Sequence, residues 1–208
     1  MLRAPEDASS FLAPVSTDRK PWSRRIEVFS PKLARRLTLL SQVAHDAWLL
    51  LEGDGAVKRF CERPAYLEGD RGRLLDFWVG KGRHDQFWVI ERSDETEREW
   101  PVRVHGRRLR VLKSADLQAL EPWIANWGRI MPYLIAYRSY RDVRLEADIE
   151  RRLTKPHRLE LLEAAYQPIA GVRVRASVFA LLAAGKVAGR GLDRAPLGSG
   201  TVFVRSRQ

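Results

Sequence analysis

The sequence predicts an α/β protein in two parts: a helix followed by a sheet of short hairpins, then a largely helical C-terminal region. Three observations carry this. Short runs with strand alternation, among them IEVFS, LLDFWV and QFWVIE, fill the first half. One stretch with helical spacing, SQVAHDAWLLLEGDG, precedes most of them. Beyond Ser114 the apolar residues recur at helical intervals as far as Gly185, and two strand-like pieces, KVAG and TVFVR, close the chain.

At 208 residues, 45% of them hydrophobic, the chain has room for one large domain or two small ones with a substantial core. Lys and Arg outnumber Asp and Glu by 37 to 26, a net charge of +11, and a pI near 10.4 follows. Such an excess favours a polyanionic partner through counterion release, nucleic acid first among them, although an arginine-rich composition also yields basic surfaces with no such role. Cys61 is the only cysteine, which excludes an internal disulfide and a cysteine-based zinc site. It reads as a buried small hydrophobe in a cytoplasmic protein. No apolar run approaches the roughly 20 residues of a membrane span, and MLRAPEDASSFLAPVS lacks the apolar segment of a signal peptide, so neither membrane association nor export is expected.

In chain order, residues 1–22 mix Pro, Ser, Asp and Ala without periodicity and read as a flexible arm. A first domain is expected over 23–113. Within it IEVFS alternates as a strand, and ARRLTLLS is either a second strand or the start of a helix. The helix that follows has Ser41 as N-cap, an apolar stripe of Val43, Ala47, Leu50 and Leu51, and a Gly53-Asp54-Gly55 breaker. VKRFCE, LLDFWV, QFWVIE, VRVHG and RRLRVLK then read as strands joined by hairpin turns. Residues 114–140 are connecting helices, interrupted or kinked at Pro122 and Pro132.

Residues 141–208 read as a separate unit. Leu145, Ile149 and Leu153 form one helical stripe, Leu159, Leu162 and Tyr166 a second, and Val174, Val178, Leu181 and Leu182 a third. Three helices and a terminal hairpin are the parts of a winged helix, a fold that binds DNA in some proteins and only other proteins in others. Arg190 and Arg194 would sit at its wing, and Arg173 and Arg175 on its third helix.

Phosphodiester cleavage by a restriction-endonuclease-type site needs carboxylates around one or two Mg²⁺ ions and a lysine that orients or activates water. The usual layout is a helix supplying Glu, a strand opening with Asp, and a hairpin partner carrying Glu or Gln, any residue, then Lys. The order of elements matches: the helix at 41–52, a strand opening at Asp76, and a partner strand from Gln86 to Glu91. The candidate catalytic and metal-binding residues are therefore Asp76 and Glu91. A strand-end acid such as Asp76 also serves to cap a turn or to pair with an arginine, Arg73 being nearest.

The run SQVAHDAWLLLEGDGAVKRFCERP, followed by a turn and LLDFWV, resembles the N-terminal part of TnsA-type endonucleases. These cut the 5′ ends of transposons alongside a DDE transposase and an AAA+ ATPase. Ser41, Leu49, Leu50, Leu51, Glu52, Asp54, Val57, Phe60, Glu62 and Pro64 stand at the places of the family pattern, and the resemblance covers about residues 24 to 92. It implies a restriction-endonuclease-like first domain, transposon-end double-stranded DNA as ligand, and the transposase and ATPase of a Tn7-like machinery as partners. The tail from VFALLAAG to VFVR is similar, more weakly, to C-terminal regions of the same family.

The departures bear on activity. Three residues after Ser41, where the family has its catalytic Glu, stands Ala44, which cannot ligate a metal. If Glu91 takes the partner-strand acid position, Ser93 replaces the lysine; if Glu91 takes the lysine position, a negative charge replaces a positive one. His45 and Asp46, beside Ala44, point about 100° apart on the helix and would stand in only after a local rearrangement. The expectation is a degenerate site, with Mg²⁺ required only if cleavage survives. An active Mg²⁺-dependent endonuclease and a winged-helix DNA-binding regulator remain the alternatives. Expected DNA contacts are Arg35 and Arg36 beside the site helix, Lys81 and Arg83 in the hairpin turn, and the four C-terminal arginines named above. Trp48, Trp78, Trp88, Trp123 and Trp127 read as core, and the four histidines lack metal-ligand spacing.

Overall fold

A computed structural model describes residues 11–16, 25–82 and 84–206. The chain is mixed α/β and divides into two compact units, one of residues up to Trp48 together with Ala56–Gln118, the other of Leu49–Gly55 together with Ala119 onward. Among the described residues no helix is long and apolar enough to cross a membrane.

The first unit opens with strands β1 (Ile26–Ser30) and β2 (Arg35–Leu39), paired as an antiparallel ribbon. ARRLTLLS is thus a strand, and helix α1 (Gln42–Gly53) follows it directly. Ser41 Oγ accepts the Ala44 N–H at 3.0 Å, the N-cap its position predicts. Strands β3 (Arg59–Glu62), β4 (Tyr66–Leu67), β5 (Asp70–Leu74), β6 (Phe77–Lys81), β7 (His84–Ile90), β8 (Arg103–Val104) and β9 (Arg107–Leu112) complete the sheets, before the short helix α2 (Ser114–Ala119).

A mixed five-stranded sheet runs β3-β6-β7-β9-β8, and β4 and β5 form a separate ribbon. The expectation of hairpins throughout needs correction at one place: β7 and β9 are parallel, with Phe87 beside Leu109 and Val89 beside Val111. The β8–β9 hairpin occupies the connection that a parallel pair requires. The β4–β5 ribbon escaped the sequence reading because DRGRL carries charge where a strand would alternate.

Alternation puts Cys61, Trp78, Phe87, Val89 and Leu109 on one face of the sheet, where they form a core with Leu67, Leu75, Val104 and Phe11. Phe11 meets Phe87 edge to face at 5.0 Å, and Val15 N–H donates to Arg63 O at 2.8 Å. Residues 11–16 of the expected arm are therefore packed on the first unit, while 1–10 and 17–24 lie outside the described residues. Cys61 is buried and free, and burial pushes its thiol up to about 12.

The second unit contains the end of α1, then α3 (Glu121–Ala136), a 3-10 turn at Arg138–Tyr140, α4 (Val143–Arg152), β10 (His157–Arg158), α5 (Leu159–Ala165), α6 (Gly171–Ala183), β11 (Val187–Gly189) and β12 (Val202–Arg205). Pro122 lies in the first turn of α3, where a missing N–H costs nothing, and so marks the break from α2. Pro132 lies inside α3, which continues through it. The three strands form an antiparallel sheet ordered β10-β12-β11.

Trp127, Ile130, Ile149, Leu162, Val178, Phe179 and Phe203 are its buried centre. The glycines ending α1 do more than break the helix. A Cβ on Gly53 would fall 2.6 Å from Trp127 Nε1, and one on Gly55 would fall 2.7 Å from Gly185 Cα, so neither position has room for a side chain.

Candidate functional site

The first unit positions the candidate acids at the end of the β6–β7 hairpin. Asp76 falls in the bend between β5 and β6, so the strand opens one residue later, at Phe77. Glu91 lies one residue past β7 and donates its backbone N–H to Leu112 O at 3.0 Å, which secures the end of the parallel pair.

The Asp76 carboxylate turns back onto its own hairpin. Its Oδ2 accepts the Ile90 N–H at 2.7 Å and lies 3.4 Å from Arg73 Nη2. Arg73 is 3% exposed and Asp76 22%. Burial raises the Asp76 carboxyl above the usual range, against the opposing pull of Arg73 and the Ile90 N–H. The pairing with Arg73, one of the roles open to a strand-end acid, is thus the one seen.

All three guanidinium nitrogens of Arg73 donate to oxygens. Nη1 donates to Leu74 O at 2.7 Å, Nη2 to Ile90 O at 2.6 Å, and Nε to Glu95 Oε1 at 2.8 Å. Glu95 in turn accepts the Arg92 N–H at 3.1 Å through Oε2 and lies 3.5 Å from Arg98, which bonds Asp70 at 3.0 Å. The Trp100 ring lies under both cations, 5.7 Å from Arg73 and 4.7 Å from Arg98. The sequence offered Arg73, three residues from Asp76, but not Glu95, which sits in the charged run ERSDETEREW with no periodicity to single it out.

Ala44, where the resemblance expects a glutamate, is buried near the start of α1. Ser-x-x-Glu is also the pattern of a reciprocal helix cap, and with alanine here only the Ser41 half remains. His45 and Asp46 bond within the helix surface: Gln42 Nε2 donates to Asp46 Oδ1 at 2.9 Å, and His45 Nδ1 lies 3.4 Å from the same oxygen. Ser93, which takes the lysine position if Glu91 is the partner-strand acid, is exposed. Among the described residues no group of three or more His, Cys, Asp or Glu side chains converges as cation ligands.

These residues fit Mg²⁺ poorly. A divalent ion at Asp76 would face a buried guanidinium whose three nitrogens already donate to oxygens, and the helix offers a methyl group in place of a carboxylate. Nor can an arginine accept a proton from water, since it stays charged at all accessible pH.

The expected DNA contacts differ among themselves. Arg35 is held bidentately by buried Glu62, at 2.7 and 2.9 Å, and Arg175 by Glu163, at 2.7 and 3.1 Å, with Tyr133 OH 3.2 Å away. Arg36 is exposed, and Lys81 is half-buried at the end of β6. Arg83 lies outside the described residues. Arg173, near the start of α6, is 3.5 Å from Asp142. Arg190 and Arg194 are exposed on the segment joining β11 to β12, Arg194 beside Asp193 at 3.1 Å. That segment is tied to α3 by one buried residue. Asn126 Nδ2 donates to Leu192 O and Ala195 O, both at 2.8 Å, and its Oδ1 accepts the Leu197 N–H at 2.7 Å.

No protein-family profile matches this sequence, and no curated protein matches it significantly.

Proposed function

We propose that the chain is a DNA-binding, TnsA-like subunit of a Tn7-like transposition machinery, with endonuclease activity lost or reduced, that acts at transposon ends beside a DDE transposase and an AAA+ ATPase. The observation that carries the loss of cleavage is the Arg73–Asp76 pair. The carboxylate that would hold the metal is instead hydrogen-bonded to Ile90 N–H and paired with a buried cation. Ala44 removes the helix carboxylate, and either register of the partner strand, with Ser93 or Glu91 at the lysine position, removes the lysine that the chemistry also requires.

The assignment to a restriction-endonuclease-like first domain is supported by helix α1 preceding the antiparallel strands β3, β6 and β7, with Asp76 just before β6 and Glu91 just after β7. A winged-helix-like C-terminal domain is supported by the element order α4, β10, α5, α6, β11, β12 and the sheet order β10-β12-β11. The net charge of +11 suits a duplex partner, and the cytoplasm suits a chain with one buried, free cysteine.

The test is to incubate the protein with duplexes of its transposon ends, alone and with the transposase, in Mg²⁺ and in Mn²⁺. Binding without a nick from this subunit is expected. Nicking at the 5′ ends that disappears in Asp76→Ala would restore the active-endonuclease reading. Binding to a promoter in preference to transposon ends would favour the regulator.

A further inference from the structure

Strand register sorts the side chains of the five-stranded sheet into two faces, and their compositions differ sharply. One face holds the core of the first unit. On the other, Phe77, Val79 and Lys81 of β6 lie beside Trp88, Gln86 and His84 of β7. Gln86 and Trp88 lie beside Arg108 and Arg110 of β9, and Arg103 of β8 stands opposite Arg108. This face is thus apolar at one end and basic at the other.

No carboxylate from β6, β7, β8 or β9 shares that face. Glu62, which reaches it from β3, is taken by Arg35. Arg103 and Arg108 are like charges directly opposite each other across an antiparallel pair, an arrangement that destabilises a sheet unless an anion lies between them. Among the described residues Arg108 has no ion-pair partner, Arg103 donates only to Gly106 O at 3.0 Å, and Arg110 is exposed with its guanidinium 4.8 Å from the centre of the Trp88 ring. The basic end opens into a cleft of about 410 Å³ lined by Lys81, His84, Gln86, Arg103, Arg107 and Arg108. The acid of this cleft, Asp85, comes from the opposite face and is paired with Arg107.

We propose that the sheet face carrying Lys81, Arg103, Arg108 and Arg110 binds the sugar–phosphate backbone of double-stranded DNA. This rests on the DNA-binding reading above and gives it a surface in the first unit, apart from the Asp76 site and from the C-terminal arginines. A guanidinium meets a phosphate with two parallel N–H donors, and one that already stacks on an indole loses little freedom in doing so. Backbone contacts of this kind fix orientation and carry no sequence information. The strength of the interaction will therefore follow salt, and sequence only weakly.

The test is fluorescence anisotropy of a labelled duplex across a salt series, with the full chain and with Arg103→Ala, Arg108→Ala and Arg108→Lys. Arg25→Ala, at another exposed arginine of the same unit, gives the same change in net charge. Urea midpoints no lower than that of the wild type establish that the variants are folded. Each alanine at 103 or 108 is expected to weaken binding to all sequences alike and to lower the slope of log K against log salt by about 0.9, with Arg25→Ala leaving the slope unchanged and Arg108→Lys keeping most of it. If the wild-type chain binds DNA and the Arg103 and Arg108 variants bind with the same slope, the proposal is overturned while the DNA-binding reading stands, and the face belongs to another partner such as an acidic protein. Equal losses in Arg25→Ala would overturn it too, because the effect would then be one of diffuse charge. A wild-type chain that does not bind duplex DNA removes both.

Discussion

Arg73 Nε donates to Glu95 Oε1 at 2.8 Å, joining strand β5 to the loop after β7 across 22 residues of sequence. Together with the bonds to Leu74 O, Ile90 O and Asp76 it makes one guanidinium the hub of the hairpin's end. Removing the hub leaves Asp76 without its arginine and Glu95 with Arg98 alone, 3.5 Å away. Arg73→Ala should therefore destabilise the chain by about 3–5 kcal/mol, and Arg73→Lys, which keeps the charge but not the planar fork, by about 1–3 kcal/mol. Urea unfolding measures both. A loss below about 1 kcal/mol for the alanine variant would show that the network contributes little.

Asp76 gives that network a pH signature. Its carboxyl is raised in the fold by burial, so the folded chain holds this proton more tightly than the unfolded chain does. The stability due to this group is complete below the unfolded-state value of about 3.9 and declines as pH rises through the higher folded value. Asp76→Asn is neutral throughout. Relative to wild type it should gain stability as pH climbs from about 3.9 into the neutral range, read from denaturation midpoints at a series of pH values. A variant that instead loses ground with rising pH would mean that Arg73 outweighs burial.

The Arg35–Glu62 pair ties β2 to β3, with the carboxylate buried and the guanidinium about one-third exposed. The guanidinium is held above its ordinary value chiefly by its hydrogen bond to Glu62. Arg35→Ala strands Glu62 and should cost about 2–3 kcal/mol, whereas Arg35→Met with Glu62→Leu should recover most of that loss because both charges leave together. Thermal and urea unfolding of Arg35→Met, Glu62→Leu and the double variant close the cycle that decides it.

Asn126 makes a prediction about mobility. Its three hydrogen bonds hold the 192–197 segment against α3. Asn126→Ala should cost about 1–3 kcal/mol and leave the Leu197 N–H without its acceptor. Hydrogen exchange across residues 190–200 should speed up in this variant ahead of exchange in α6. Unchanged exchange there would show that the buried Leu192 and the Arg129 bond to Leu197 O anchor the segment without Asn126.

Much of the fold is legible in local pattern. Alternation marks β1, β6, β7 and β9, the Ser41 cap and the glycines bound α1, and three apolar stripes mark α4, α5 and α6. What escapes is what long-range packing decides. The parallel β7–β9 pair follows from the β8–β9 hairpin folding across, which no window of residues records. The division of the chain inside α1 is equally hidden, because Ala47, Leu50 and Leu51 make one unbroken stripe.

The site shows the same contrast. Asp76 and Arg73 are three residues apart and can be paired by inspection, but Glu95 and the partner of Arg35 stand 22 and 27 residues away from theirs. The basic sheet face was within reach of sequence. RRLRVL places Arg108 and Arg110 opposite Leu109 and Val111 at strand period, a pattern that separates charge from core.

Binding of Mn²⁺ to the full chain, followed by electron paramagnetic resonance and compared with Asp76→Ala, tests most directly whether the cation beside Asp76 is Arg73 or a metal. With the guanidinium in that place, the two proteins should titrate alike and show no tight site. A stoichiometric Mn²⁺ site in the wild-type chain that vanishes in Asp76→Ala would contradict the account.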